Sequence, residues 1–221
     1  MLADRVDCTG TVANGSPINT AVAGTNTFSV TATDAAGNSA ATTVTYTVVP
    51  NTIRITNIPS NAVAGSSFIA AYEYFGDGDP SVTSLTPDVC VANGDQVTYL
   101  HHGTCQVQAY ANATPNFTAT VGAVQVFEIA KRQPTIAVAN LPASGAVNGS
   151  FVPTFAYAGE GNTSVRSETP KVCKVSNDTV RFVGAGTCTL VAQASAARDD
   201  ERAVGLPQSF IVGGTTRREQ D

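Results

Sequence analysis

Residues 171–194 read Lys171-Val-Cys-Lys-Val-Ser-Asn-Asp-Thr-Val-Arg-Phe-Val-Gly-Ala-Gly-Thr-Cys-Thr-Leu-Val-Ala-Gln-Ala194. Three short strand patterns, 171–175, 179–183 and 187–194, are separated here by a Ser-Asn-Asp turn and a Gly-Ala-Gly turn. Short runs of this kind, punctuated by turn residues about every 8–12 residues, are typical of a β-sandwich. Because the chain turns twice between its two cysteines, the second cysteine is predicted to return beside the first.

The same pattern occurs earlier in the chain, at the offset that aligns Ile53 with Ile136. Identical residues recur at this offset without an insertion over most of two long stretches, and they include Phe68 and Phe151, Tyr74 and Tyr157, Cys90 and Cys173, Cys105 and Cys188, and Phe127 and Phe210. The chain therefore contains two copies of one module, here named repeat 1 (residues 53–131) and repeat 2 (residues 136–214). The period exceeds that of solenoid units, so each copy is predicted to be a small independent domain. Further strands are predicted at 136–139, 150–157 and 208–212.

Residues 1–49 have a different pattern. Two strands, 27–33 and 41–49, alternate polar and apolar residues around a turn at 34–39, and a short strand is predicted around 9–13. Three strands cannot close a sandwich, so this segment is predicted to be the C-terminal half of another module. One face of its hairpin would be apolar, formed by Phe28, Val30, Ala32, Val44, Tyr46 and Val48. We expect this segment to self-associate or to stay loosely ordered, the alternative being that it folds back on repeat 1.

The repeats resemble bacterial immunoglobulin-like (Big-type) repeats of large secreted proteins. The resemblance is carried by Val172-Cys173 through Val180, by Gly184 through Ala192, and by the closing Gln208-Ser-Phe-Ile-Val212. Repeat 1 keeps these features but has His101-His102 in the turn. Cys8 through Gly15, with Val30 through Asn38, is similar to the second half of a hyalin-repeat-like bacterial domain. These resemblances imply tandem immunoglobulin-like β-sandwich domains that serve as spacers, adhesins or enzyme appendages, and residues 215–221 form a tail outside them.

Composition excludes several classes of partner. The 221 residues are 43% hydrophobic but only 13% charged, and the formal net charge of −5 argues against nucleic acid or an anionic membrane as the main partner. No run of 18 apolar residues is present, so no membrane span is predicted. The start of the chain has no signal-peptide pattern, although the paired cysteines favour an oxidising compartment. We therefore expect an excised piece of a longer extracellular or cell-surface protein, the alternative being a cytosolic protein with structural thiols.

The cysteines are predicted to form disulfides rather than a metal site. Cys90 and Cys105 have the same spacing as Cys173 and Cys188, and each pair encloses one predicted hairpin. A metal site would need four ligands, usually from closely spaced cysteine pairs, which neither repeat supplies. Cys8 is left unpaired and is expected to be free or to pair between chains.

Other polar groups are interpreted as surface turns. His101 and His102 point to opposite faces if they lie on a strand, and repeat 2 has Gly184-Ala185 there, so we predict no metal site. The pairs Asp77 with Asp79 and Asp34 with Asn38 lack the spacing of a calcium loop and are predicted to be turns. Residues 199–201, Asp-Asp-Glu, are expected to be a solvated acidic loop.

The sequence predicts no enzyme. It contains no nucleophile elbow, zinc-protease helix, phosphate loop or paired catalytic carboxylates, so no catalytic residue and no cofactor are assigned. The predicted function is a rod-like spacer whose partners are neighbouring immunoglobulin-like modules of a longer chain. The alternatives are a module that binds a glycan or a cell-surface protein, and an accessory region of a secreted polysaccharide-active enzyme.

Overall fold

The computed structural model describes residues 6–214, and every regular element in that range is a β-strand. The prediction of an all-β fold is therefore confirmed. The chain forms two compact units. The first comprises Met1–Thr56, Ala71–Ser81 and Gln108–Ala123, and the second comprises Asn57–Ala70, Val82–Val107 and Val124–Asp221.

The N-terminal segment forms one antiparallel sheet in the first unit. Its strands are β1 (Asp7–Gly10), β2 (Gly24–Thr33) and β3 (Ser39–Val48), with β2 in the centre. β2 and β3 pair along their whole length, from Gly24 opposite Val48 to Thr33 opposite Ser39. No residue of these three strands is fully buried, although most of β2 is half-buried, so the sheet does not enclose a core of its own.

The strands of the two repeats correspond one to one. Those of repeat 1 are β4 (Ile53–Ile55), β5 (Ala62–Val63), β6 (Ser67–Ile69), β7 (Tyr72–Tyr74), β8 (Pro80–Ser84), β9 (Cys90–Asn93), β10 (Gln96–Tyr99), β11 (Gly103–Ala111), β12 (Thr120–Val121) and β13 (Gln125–Ala130). Those of repeat 2 are β14 (Ile136–Val138), β15 (Ser144–Ala146), β16 (Ser150–Phe151), β17 (Phe155–Tyr157), β18 (Thr163–Ser167), β19 (Cys173–Ser176), β20 (Thr179–Phe182), β21 (Gly186–Ala194), β22 (Ala203–Val204) and β23 (Gln208–Gly213). At the offset that aligns Ile53 with Ile136, each strand of repeat 1 overlaps its counterpart in repeat 2.

Repeat 2 lies wholly in the second unit and has the strand order of an immunoglobulin-like sandwich. One sheet has the order β15-β23-β21-β18, with β15 parallel to β23, and β22 also pairs with β21. The others are β16-β20-β19 and the pair β14-β17. In immunoglobulin terms these are strands A′-G-F-C against B-E-D and A-B. Leu190, Ala192 and Phe210 from the first sheet, and Val180 and Phe182 from the second, are buried together in one core.

An aromatic cluster closes the core at the same place in both repeats. In repeat 2 the rings of Phe151, Phe182 and Phe210 have centroids 5.3–6.1 Å apart. In repeat 1 the corresponding rings, Phe68, Tyr99 and Phe127, lie 5.6–6.1 Å apart in the second unit. Tilted and edge-on contacts at these distances are the favourable geometries for aromatic pairs. The two repeats therefore have the same three-ring aromatic packing in their cores.

The structure differs from the predicted strands in two ways. Residues 150–157, predicted as one strand, form two, because the chain is interrupted around Pro153, which has no backbone N–H to donate. Three strands of repeat 2 were not predicted: β15, β18 and β22, whose sequences are Ser-Gly-Ala, Thr-Ser-Val-Arg-Ser and Ala-Val. The first two have too few apolar residues to produce a period-two signal, and β22 is too short to show one.

Candidate functional site

Both predicted cysteine pairs lie between the two sheets of a repeat. The structure joins Cys90 to Cys105, and Cys173 to Cys188, with S–S distances of 1.98 and 2.03 Å. All four residues are fully buried. In repeat 2 the bridge links β19 to β21, strands D and F, whereas antibody domains link strands B and F. Each bridge therefore fastens one sheet to the other, while Cys8 on β1 is exposed and free.

A Ser-x-Thr-Pro segment supports each bridge from outside. Ser167 Oγ and Thr169 Oγ1 lie 3.3 and 3.5 Å from Cys173 Sγ, and Thr169 Oγ1 accepts the backbone N–H of Thr189 at 2.9 Å. Ser84 and Thr86 make the same contacts with Cys90. The segment thus ties the loop before strand D to strand F in both copies.

The most unusual cluster of charged groups is formed by residues from both repeats and by the linker between them, all in the second unit. His101 and His102 lie in the turn between β10 and β11. His101 Nδ1 is 2.7 Å from Asp199 Oδ2, and His102 Nδ1 is 3.3 Å from Asp199 Oδ1. The backbone N–H of His102 also donates to Asp199 Oδ1 at 2.8 Å. Because a carboxylate only accepts hydrogen bonds, each contacting ring nitrogen carries the proton.

Asp200 anchors the linker in the same cluster. Arg132 donates from Nε to Oδ1 at 2.7 Å and from Nη2 to Oδ2 at 3.1 Å, and the backbone N–H of Glu160 donates to Oδ2 at 2.6 Å. Arg132 also pairs with the Glu160 carboxylate at 2.6 Å. Two-pronged arginine–carboxylate contacts of this kind fix geometry as well as charge.

Backbone bonds hold the linker against the same loop. The N–H of Arg132 donates to the Asp199 carbonyl at 2.8 Å, and its own carbonyl accepts the N–H of Glu201 at 2.9 Å. Lys131 Nζ donates to the Ala197 carbonyl at 2.8 Å. We name the set His101, His102, Lys131, Arg132, Asp199 and Asp200 the junction cluster.

The prediction of a solvated acidic loop at 199–201 is wrong. Asp199 is 4% exposed and Asp200 is fully buried. Their burial requires partners that lie 97–98 residues away for Asp199 and 68 residues away for Asp200, and no local pattern shows such partners. The histidines lie in a turn, as expected, but both contact Asp199.

The sequence did contain one signal of the junction cluster. Its residues are places where the repeats disagree: His101-His102 align with Gly184-Ala185, and Asp199-Asp200 align with Asn116-Phe117. When both residues of a contact differ from the aligned residues of the other repeat, the contact belongs to one junction and not to the repeated module.

Electrostatics favours Asp199 as a carboxylate. Burial by itself raises its pKa, but hydrogen bonds from the His101 ring and from the backbone and ring of His102 outweigh this and lower the pKa to about 2. The hydrogen bonds from Arg132 to Asp200 and Glu160 raise the pKa of the guanidinium. The Asp199 carboxylate and the Arg132 guanidinium therefore both favour their charged forms.

The two other acidic sites differ: Asp34 makes local bonds in the turn between β2 and β3, whereas the Asp77 carboxylate bonds to a loop 37–39 residues away. Asp34 accepts the N–H groups of Ala36 and Asn38, both at 2.9 Å, and the bond from the Asn38 side chain, together with these, lowers its pKa. Asp77 accepts hydrogen bonds from Thr114 and from the Asn116 amide. Within residues 6–214, no group of three or more His, Cys, Asp or Glu side chains could hold a metal ion. No helix in that range could cross a membrane.

A groove borders the linker. It is lined by residues 132–135 and 156–158 with Asp200, and its volume is about 550 Å³. Beside this groove, the segment at Gly205 approaches β14 closely, which only glycine permits because a Cβ there would lie 2.2 Å from the Ile136 carbonyl oxygen. In repeat 1, a Cβ at Gly122 would lie 2.3 Å from the Ile53 carbonyl oxygen.

Comparisons with known proteins give structural likenesses. No family model matches the chain, and no curated protein matches it. Solved structures that match include the S-layer protein rSbsC(31-844) (18% identity, TM-score 0.32, covering 96% of this chain and 35% of that one). Drosophila N-cadherin EC1-4 matches at 10% identity and TM-score 0.33, covering 97% and 68%. A C-terminal intimin fragment in complex with the translocated intimin receptor matches at 16% and 0.29, covering 83% and 57%. The chain thus spans about a third of the S-layer protein.

Proposed function

We propose that this chain is a non-catalytic structural region of an extracellular bacterial protein, in which immunoglobulin-like domains act as a rod-like spacer. Repeats 1 and 2 are its two complete domains of Big type, and residues 1–49 are the C-terminal half of a hyalin-repeat-like module. The tail expected at 215–221 lies outside the described residues. The partners are neighbouring modules of a longer chain.

The single observation that carries the proposal is the junction cluster. A spacer must transmit position from one module to the next, and a linker of a few residues would otherwise be flexible. Here Arg132 is bonded through its backbone and its side chain to the loop that carries Asp199 and Asp200. The buried disulfides stabilise each repeat internally, because a small domain gains stability from a closed loop.

Two measurements test the proposal. Residues 53–131 and 136–214, expressed separately, should each fold and melt cooperatively, since each is taken to have its own core. Solution scattering of the whole chain should give a radius of gyration well above the ~17 Å of a compact chain of this length. Two unfolded fragments would contradict independent domains, and a compact radius would contradict the spacer. Strong binding on a glycan array would favour a ligand-binding module instead.

A further inference from the structure

The N-terminal sheet presents a regular array of hydroxyl groups. Residues directly opposite each other in an antiparallel sheet share a face, and alternate residues along a strand return to it. Every second residue of β2 from Thr25 to Thr33 is Thr or Ser, and these pair with every second residue of β3 from Thr47 to Ser39. The array, here named the threonine face, comprises Thr9 of β1, Thr25, Thr27, Ser29, Thr31 and Thr33 of β2, and Ser39, Thr43, Thr45 and Thr47 of β3.

The threonine face is open to solvent within its unit. Thr25, Thr27, Thr43, Thr45 and Thr47 are exposed, and the remaining β2 members are half-buried. One cross-strand pair is directly bonded, with Ser29 Oγ 2.6 Å from Thr43 Oγ1. The other face of the sheet carries Phe28, Val30 and Tyr46, so the two faces have different chemistry.

Charge is confined to one edge of this sheet surface, where Asp7 of β1 lies opposite Thr33. Residues 8–33 and 35–53 contain no Asp, Glu, Lys, Arg or His. Strands of the repeats, in contrast, carry exposed charged residues such as Glu128, Arg166 and Lys174. Apart from Asp7 at its edge, the threonine face offers no charged group to an ion, and it lacks the aromatic and arginine anchors that dominate protein interfaces.

The side chains of the threonine face are regularly spaced in two directions. Equivalent side chains repeat every two residues, about 6.4–6.8 Å along a strand, and about 4.7–4.9 Å between strands. Each threonine places a hydroxyl, which both donates and accepts, beside a methyl group that restricts the orientations of neighbouring water. Adjacent strands are rotated by roughly 20–25°, so the match to a flat lattice is best at the central positions, Thr27, Ser29, Thr43 and Thr45.

We propose that the threonine face binds ice, whose surface is an uncharged lattice of hydrogen-bonded water. Single hydroxyl contacts with water are weak, but an array that makes many of them at once binds with the combined strength of a multivalent ligand. This activity is separate from the proposed spacer function and does not depend on the junction cluster.

The experiment follows the growth of single ice crystals in solutions of the full chain. The wild type should shape the crystals and produce a measurable gap between melting and freezing temperatures. Thr45→Lys, at the centre of the face, should reduce that gap at least fivefold. Thr45→Tyr should do the same by standing out of the array, and it keeps a residue that favours strands. Thr42→Lys and Thr42→Tyr are matched controls, because Thr42 is also exposed on the same strand but lies on the opposite face. They should stay within twofold of the wild type.

Three results would overturn the proposal. The first is a wild-type chain that leaves ice growth unchanged. The second is an equal loss with the Thr42 and Thr45 variants. The third is Thr45-dependent binding to insoluble cellulose or chitin without any effect on ice, which would assign the face to a crystalline polysaccharide. Melting temperatures of the Thr45→Tyr and Thr42→Tyr variants establish that the N-terminal sheet remains folded in both.

Discussion

Replacing Asp199 with asparagine, a side chain of nearly the same shape, should weaken the hydrogen bonds of the junction cluster. The substitution removes one buried negative charge, and with it the charge assistance of the contacts from His101 Nδ1 and His102 Nδ1. The backbone N–H of His102 can still donate to the amide oxygen. A hydrogen bond to a charged group contributes about 1.5–3 kcal/mol, and the two histidine side chains are partly exposed, so we expect a loss of ~2 kcal/mol.

Amide hydrogen exchange measures this loss at the site itself. The N–H groups of Arg132 and Glu201 are bonded between the linker and the acidic loop, so they exchange only when the junction opens. Since about 1.4 kcal/mol corresponds to a factor of ten, Asp199→Asn should make both amides exchange roughly 30-fold faster. Amides in the strands of repeat 2, such as that of Cys188, should change far less because their bonds break only when the sandwich unfolds.

Asp34→Asn is the matched control. It removes a carboxylate that also accepts backbone N–H groups and has a lowered pKa, but it lies in an exposed turn of the first unit. It should leave exchange at Arg132 and Glu201 unchanged. The reasoning is refuted if Asp199→Asn accelerates the two amides less than threefold. It is also refuted if His101→Gln with His102→Gln costs as much in the Asp199→Asn background as in the wild type.

Three further outcomes are expected. Because the pKa of Asp199 is lowered from 3.8 to about 2, its contribution to the junction is fully present above pH ~4 and disappears as the pH falls toward 2; a pH series of NMR signals from residues 195–202 should show this loss, which Asp199→Asn should lack. Peptide mapping without reduction should recover Cys90 with Cys105 and Cys173 with Cys188, and Cys173→Ala with Cys188→Ala should destabilise repeat 2 by about 3 kcal/mol in thermal unfolding; recovery of Cys90 with Cys173 would contradict the pairing. Light scattering should show self-association that is absent when the chain starts at Thr52; monomers in both cases, with residues 6–49 as protected from exchange as the repeats, would contradict our account of that segment.

The sequence by itself determined the class of fold, the internal repeat and the position of most strands. These follow from local patterns: alternation of apolar residues, turn residues at regular intervals, and one constant offset that brings Cys90 onto Cys173 and Phe127 onto Phe210. Such signals are readable because the pleat fixes side-chain alternation at two residues wherever a strand has one buried face. The hairpin of residues 27–33 and 41–49 was predicted for the same reason.

Tertiary structure alone decided which polar residues are buried. Asp199 and Asp200 belong to a segment that any local pattern classes as an exposed loop, and their burial depends on His101, His102 and Arg132, which are distant in sequence. A buried carboxylate is tolerated only where hydrogen-bond donors replace the water that it loses. Those donors come together only when the linker and the loops beside it have folded, so the cost and its compensation are both properties of the assembled chain.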